Sequence, residues 1–410
     1  MAEIDDLFQA ALGLAEPWQV TRTAFDATAR RLDLYLDFPN GARFGCPEGD
    51  ESACPVHDTE PKTWRHLDFF QHQAYLHARV PRVTCPAHGT RQVRLPWARP
   101  GSGFTLLFEA LLLALLAQMP VKAVAVLVGE HDTRLWRLLH HHVAQARATL
   151  DLATVSRVGV DETSAKRGQD YVSLFVDLDA PKPRVIFATE GRDHTTVERF
   201  AADLAAHGGD PARVRDVSAD MSPAFEKGVR ASLPKAYLTY DRYHLVSHAT
   251  KAVDEVRRAE AKARPELKGT RYAWLKRPER LTKRQAADLA WLRSRERSLA
   301  TARAYQWRLD FDGFFDQPRE LAEDYLERWW KGAVRSRLQP IIDFAHMIGE
   351  HWEGVLRWHW TKINNGVLEG INSLVQAAKR RARGYRNKQN LIAMIYLIAG
   401  RFDFSPTHTN

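Results

Sequence analysis

Leu32, Leu34, Leu36 and Phe38 alternate with Asp33, Tyr35 and Asp37, and Pro39-Asn40-Gly41 follows directly. Strict alternation closed by turn residues predicts a half-buried strand and a tight turn. From Phe104 to Met119 the pattern becomes an almost continuous apolar helix, FTLLFEALLLALLAQM, which Pro120 interrupts. VKAVAVLVG, a GEHDT turn and TRLWRLLHHHVAQARATL then read as two short helices around a glycine-containing turn. That is the pattern of a helix-turn-helix, with Asp132 or Thr133 as the cap of its second helix. Arg134 and Arg137 fall early in that helix, where DNA contacts are expected. His140, His141 and His142 cannot converge on one ion, because successive helical residues point about 100° apart; they are expected on a solvated face.

Period two returns at residues 156–244. An apolar run, Val158–Val160, ends at Asp161, and Val172, Leu174, Val176 and Leu178 alternate after a short link. The link is too short for a crossover helix, so the two strands should pair antiparallel. A third strand follows at 183–188, then a helix with Val197, Phe200, Ala201 and Leu204 at helical spacing. RVRDVSAD predicts a fourth strand ending in Asp220, and AYLTYD a fifth that leads into Asp241-Arg242-Tyr243-His244. Antiparallel strands followed by alternating helix and strand predict a mixed α/β sheet. Which strand lies beside the first is left open by the pattern.

Residues 245–365 read as helical, basic and rich in Trp, and most of those tryptophans are expected in a core. The helix predicted at 366–383 sorts into two faces. Glu369, Asn372, Gln376, Lys379, Arg380 and Arg383 share one; Ile371, Leu374, Val375, Ala378 and Ala382 share the other. With Glu369 at its head, the polar stripe reads either as a solvated basic face whose acid offsets the helix dipole or as a metal-binding acid followed by groups that run along a nucleic-acid strand. Gly384 stops the helix, and LIAMIYLIAG follows as a buried one.

Charge sharpens this reading. The chain of 410 residues carries a formal net charge of +9, and residues 251–300 hold 15 Lys and Arg against 7 Asp and Glu. Concentrated basic stretches point to a polyanionic partner. Three cysteines in this length exclude a disulfide scaffold, and the acidic N-terminus, MAEIDD, lacks the order of a signal peptide. No apolar run is long enough to span a bilayer, so neither a membrane partner nor a membrane location is expected.

All three cysteines lie in the first hundred residues. Cys85 and His88 form a CxxH knuckle, Cys54 and His57 a second, and Cys46 lies eight residues before Cys54. Thiolates and imidazoles at this spacing suit a tetrahedral structural zinc. Cys46, Cys54, Cys85 and His88 are the expected ligands, with His57 as the alternative. Among the other acids, Glu162 should point away from Asp161 because strand neighbours alternate. Asp216 should pair with Arg213 or Arg215.

The motifs GVDETS, DMSPAF, DRYH and NNGVLEGINSLVQAAKRRARGYRN resemble those of the ISL-three family of bacterial insertion-sequence transposases, over nearly the whole chain. The resemblance implies a multidomain α+β protein. Its parts would be a zinc-binding module (1–100), a helix-turn-helix region (101–152) and a ribonuclease-H-like catalytic domain (153–410) interrupted by an all-α insertion at about 250–362. It implies that the fourth strand lies beside the first, bringing Asp220 to Asp161. Asp161, Asp220 and Glu369 would then be the catalytic acids holding two magnesium or manganese ions, with Asp161 bridging both. Asp241 and His244 resemble an accessory D-x-x-H motif. The implied activity is cleavage of double-stranded DNA at an element's terminal inverted repeats and strand transfer to target DNA. The protein would act as a homodimer or higher oligomer on the nucleoid in the bacterial cytoplasm. The alternatives are a catalytically silent DNA-binding protein derived from a transposase, or another metal-dependent nuclease of the same fold. One departure is Gly49, which stands where related sequences place the second cysteine of the zinc module.

Overall fold

A computed structural model describes residues 2–49, 53–166, 168, 170–294, 298–363 and 366–404. It divides into two compact units, Met1–Ala146 with Asp403–Asn410, and Arg147–Phe402.

The first unit opens with a helix, α1 (Ala2–Ala11), that the acidic N-terminal pattern did not announce. A sheet follows, built from β1 (Gln19–Asp26), β2 (Arg31–Asp37), β3 (Arg43–Gly45), β4 (Ala53–Phe69), β5 (His72–Cys85) and β6 (Gly89–Gln92). Its order is β1-β2-β5-β4-β3, with β6 paired to the end of β5. The alternation read at residues 32–38 is realised as strand β2, which runs from Arg31 to Asp37 with Leu32, Leu34 and Leu36 buried. These leucines pack with Trp18, Phe44, Trp64 and Trp97 into one apolar cluster.

Three helices complete the unit: α2 (Leu106–Gln118), α3 (Val121–Val128) and α4 (Asp132–Ala148). Thr105 caps α2, and Pro120 precedes α3. Gly129 turns the chain between α3 and α4 at φ 67°, a left-handed conformation that glycine adopts without steric cost. Neither Asp132 nor Thr133 precedes α4 as a cap. The helix begins at Asp132, and the Thr133 N–H reaches His131 Nδ1 at 3.4 Å. The histidine run is not a solvated face: His142 Nε2 lies 2.7 Å from Oε2 of Glu109, which is fully buried and also bound by Arg99 and Ser102. A buried carboxylate needs such partners to keep its charge, and this network ties α2 to α4.

The second unit is built on β7 (Arg157–Lys166), β8 (Asp170–Asp177), β9 (Arg184–Glu190), β10 (Asp216–Ala219) and β11 (Tyr237–Tyr240), in the order β11-β10-β7-β8-β9. β7, β8 and β9 are antiparallel neighbours, while β10 runs parallel to both β7 and β11. The fourth strand therefore lies beside the first, which the pattern alone left open. The crossover from β9 to β10 carries α5 (Thr195–Ala206), and that from β10 to β11 carries α6 (Pro223–Ser232). Val197, Phe200 and Leu204 of α5 are buried against Phe175 and Ile186 of the sheet.

After β11, the described residues up to Thr361 form no strand. They comprise α7 (Arg242–Glu260), α8 (Arg271–Leu275), α9 (Lys283–Leu292), α10 (Ala300–Phe314), α11 (Arg319–Ala333), α12 (Gln339–Glu350), α13 (Trp352–Leu356) and α14 (Trp358–Thr361). Their shared core includes Trp274, Tyr305, Phe311, Phe314 and Trp329. Each such aromatic contributes about 2–3 kcal/mol of burial. Trp291 and Trp360 remain about half exposed. The chain returns to the sheet through α15 (Gly366–Arg381) and ends in the buried α16 (Lys388–Ala399). No helix of the described residues is long and apolar enough to cross a membrane.

Candidate functional site

Register places the first two acids. Ser218 of β10 pairs with Gly159 of β7, so two residues further along these parallel strands Asp220 follows β10 beside Asp161. Asp220 Oδ1 accepts from the Ser222 N–H at 3.0 Å, fixing the turn into α6. Asp161 Oδ1 accepts from the Glu162 N–H at 2.7 Å. β10 covers β7 only as far as Gly159, and beyond it α15 takes the open side. A Cβ on Gly159 would meet Leu368 Cδ2 at 2.8 Å, so α15 lies as close as it does because that residue is glycine. Glu369, the residue after Leu368, stands exposed in the first turn of α15, where the helix dipole favours an anion.

A cavity of about 550 Å³ results, lined by Asp161, Asp220, Glu369, His244, Asn372 and Gln376. It is also lined by Glu162, which alternates with Asp161 along β7. The cavity runs along the uncovered edge of β7, so side chains from both faces of that strand can flank it. Burial raises the Asp161 carboxyl to about 6, and the Asp220 charge adds to the rise against the Glu162 N–H, His244 and Asn372. Burial also raises Glu162, to about 7, with further push from Asp220 and Asp161 and opposition from Arg192. Carboxylates that repel one another in a shared cavity suit a hard divalent cation, which takes oxygen ligands. A second observation agrees. The side-chain oxygen of Asn372 is buried without a hydrogen-bond partner in the same wall.

The raised Asp161 sets a pH dependence. The folded metal-free chain holds this proton more tightly than the unfolded one, so the group's contribution to stability falls as pH rises from near 4 to about 6. Two pKa units correspond to about 3 kcal/mol. A divalent cation should therefore raise Tm more at pH 8 than at pH 5. Thermal unfolding with and without magnesium at both values checks this, and equal shifts would exclude a cation at Asp161.

The structure corrects the expected polar stripe of α15. Asn372 Nδ2 donates to Asp161 Oδ2 (3.1 Å) and to the Glu162 carbonyl (2.9 Å). Gln376 donates to Thr163 Oγ1 and Lys379 to the Ser164 carbonyl, each at 2.6 Å. These three residues hold β7. Leu374, expected inside, is 41% exposed, whereas Leu368, Val375 and Ala378 are buried. Arg380 and Arg383 are exposed, the latter beyond the helix end at φ 56°. Arg134 is likewise engaged within its own unit. It contacts Glu130 at 2.5 Å and the Gly103 carbonyl, and lies 4.1 Å from the centre of the Phe104 ring. Arg137 is exposed. Asp216 pairs with Arg357 at 2.6 Å, not with Arg213 or Arg215. Asp241 is buried and caps α7 through the Tyr243 N–H, and its Oδ2 lies 3.9 Å from His244 Nε2.

In the first unit, Cys46, Cys85 and His88 bring their ligand atoms within 4.8 Å of one another. His88 Nδ1 is 3.5 Å from both sulfurs. Cys85 and His88 flank the hairpin turn between β5 and β6, so this knuckle forms as read. The second does not: β4 runs extended through Cys54 and His57, Cys54 is buried, and His57 is exposed. Cys54 pairs across from Phe44, two residues before Cys46, and its charge is felt at Cys46. Burial works against ionisation of Cys85, yet the backbone N–H groups of His88 and Ala87 and the contacts with Cys46 and His88 bring it down to about 7. A thiol ready to ionise beside a second thiol and an imidazole fits zinc.

A family model described as "Transposase" matches residues 158–395. A second, the helix-turn-helix domain of transposase family ISL3, matches residues 93–143. A third, the zinc-finger of transposase IS204/IS1001/IS1096/IS1165, matches residues 42–88 and supports a structural zinc at the cysteine cluster. The chain is 31% identical over 383 residues to the transposase for insertion sequence element IS1557 of Mycobacterium tuberculosis, covering 85% of this chain and 84% of that protein. It is 27% identical over 405 residues to the transposase for insertion sequence element IS1001 of Bordetella parapertussis, covering 94% and 96%.

Proposed function

The chain belongs to the ISL3 family of transposases, and from that premise we propose that it cuts DNA at the ends of an insertion sequence and joins those ends to target DNA. The observation that carries this reading is the single cavity lined by Asp161, Asp220 and Glu369, three acids brought from β7, the end of β10 and α15. The strand order supports a ribonuclease-H-like catalytic domain within residues 153–410, with α7–α14 as an all-helical insertion at about 250–362.

Asp161, Asp220 and Glu369 would hold two magnesium or manganese ions; such ions, when bound, would activate an attacking hydroxyl and neutralise a leaving oxygen. In the first step a water oxygen attacks the scissile phosphorus and the bond to O3′ breaks, leaving a 3′-hydroxyl. In the second that hydroxyl attacks a target phosphorus and displaces the target's own 3′ oxygen. Asp161 keeps its orientation through the Glu162 N–H and Asn372, and Asp220 through the Ser222 N–H. His244 lines the cavity beside Asp241 and would contact the DNA strand or relay a proton.

Residues 1–100 would hold a structural zinc through Cys46, Cys54, Cys85 and His88. The helix-turn-helix within 101–152 would hold the element's ends, with Arg137 as its exposed cation. Arg380 and Arg383 would neutralise phosphates near the acids. The protein would work in the bacterial cytoplasm as a dimer or larger assembly on DNA.

The test is incubation of the full chain with a labelled end fragment, a target plasmid and magnesium. Joined end–target product is expected. Nicking without joining would favour a nuclease, and binding without either would leave a DNA-binding protein.

A further inference from the structure

We propose that Asn372 is a positioning residue of the acid cavity, holding the Asp161 carboxylate and the open edge of β7 in the orientation that faces Glu369. The inference deepens the proposed function and rests on its reading of the cavity as a metal site.

An edge strand exposes backbone carbonyls that need donors. The carbonyls of Glu162 and Ser164, two residues apart on an extended strand, point to the same side. β10 does not reach them, because its pairing stops at Gly159. Asn372 and Lys379 supply the missing donors, and Gln376 between them binds the Thr163 hydroxyl. The spacing fits. Seven helical residues advance about 10 Å and the two strand residues from Glu162 to Ser164 about 7 Å, a difference that the long Lys379 side chain can span. The side chains of α15 thus stand where a further strand would stand, and they fix its rotation and register on β7.

Asn372 alone in this ladder also touches an acid. Its amide orientation follows from its neighbours, since two acceptors, Asp161 Oδ2 and the Glu162 carbonyl, face one end. That end must be the NH₂. The oxygen is then left buried with no partner, in the wall that also carries Glu369 one turn away. Leaving a buried acceptor unpaired is unfavourable. Asn372 therefore gives its donors to Asp161 and to the edge of β7 together, which ties the orientation of the carboxylate to the docking of α15.

The experiment measures manganese binding to the full chain without DNA, by calorimetry or electron paramagnetic resonance, together with Tm and the magnesium dependence of cleavage. Asn372→Ala should weaken manganese affinity by about tenfold, the range seen when a residue that orients a metal ligand is removed. Tm should stay within a few degrees, and high magnesium should restore most of the cleavage rate. Asn372→Ser, a smaller change at the same position that shortens the side chain out of reach of Asp161, should weaken affinity likewise; it decides the matter if Asn372→Ala does not fold. Wild-type affinity in the deciding variant overturns the proposal, as does a loss of affinity that comes only with a large fall in Tm. Asp161→Asn separates the premises. If it too binds manganese like the wild type, the metal reading of the cavity fails; if it loses binding while the deciding variant does not, only the role of Asn372 fails.

Discussion

Asp161→Asn is expected to lower end cleavage on the order of 10³-fold or more while raising the thermal stability of the metal-free chain. The two effects share one cause. Burial and the Asp220 charge oppose ionisation of Asp161, so the carboxylate costs stability at neutral pH. Asparagine keeps the shape and removes the charge, which relieves that cost by on the order of 2–3 kcal/mol at pH 8. The same change removes a ligand the cation needs, and loss of several kcal/mol of transition-state stabilisation corresponds to that rate factor. Binding of element ends through the helix-turn-helix should be unchanged, since Asp161 lies in the other compact unit. Cleavage assays in magnesium and thermal scans in chelator check both halves. A variant that cuts at more than a tenth of the wild-type rate would remove Asp161 from the catalytic assignment.

Chelation of zinc should unfold the end of the first sheet. Cys46 follows β3, Cys85 ends β5 and His88 lies in the turn to β6, so one ion would pin chain segments about forty residues apart. Structural zinc carries much of the folding free energy of such modules. A strong chelator, or Cys85→Ser, is expected to lower the first unit's Tm by roughly ten degrees or more. Metal analysis should return about one zinc per chain. A purified chain that holds no zinc, and whose unfolding ignores chelator, would exclude the site.

Asp161 and Asp220 stood out because each follows an apolar strand pattern, where an acid has no packing role, but their meeting in one cavity was implied by the family resemblance alone. Cys85 and His88 were legible from spacing alone, since two intervening residues make a hairpin turn. Cys54 and His57 have the same spacing but lie on an extended strand, where residues three apart face opposite ways. The bonds from the polar face of α15 to β7 were not legible, for a different reason. A polar stripe on an amphipathic helix ordinarily meets solvent or a ligand, and periodicity carries no sign of a neighbouring strand whose carbonyls lack donors. The contacts of Arg134 with Glu130 and the Gly103 carbonyl were hidden in the same manner. Glu162 escaped because alternation describes a strand covered on both edges, and β7 beyond Gly159 is covered on one side by a helix.

That helix arrives late. The carbonyls of Glu162 and Ser164 receive their donors from residues 210 and 215 positions further along the chain. At translation rates of about 5–20 residues per second, this interval lasts roughly 10–40 s. During it the nascent chain has already made the Asp161 and Asp220 strands and the helix-turn-helix, but Glu369 has not been synthesised. The carboxylate cavity is therefore closed by contacts of very long sequence separation, which form late. A ribosome-bound or prematurely terminated chain has its DNA-contact helices long before it has three acids in one cavity.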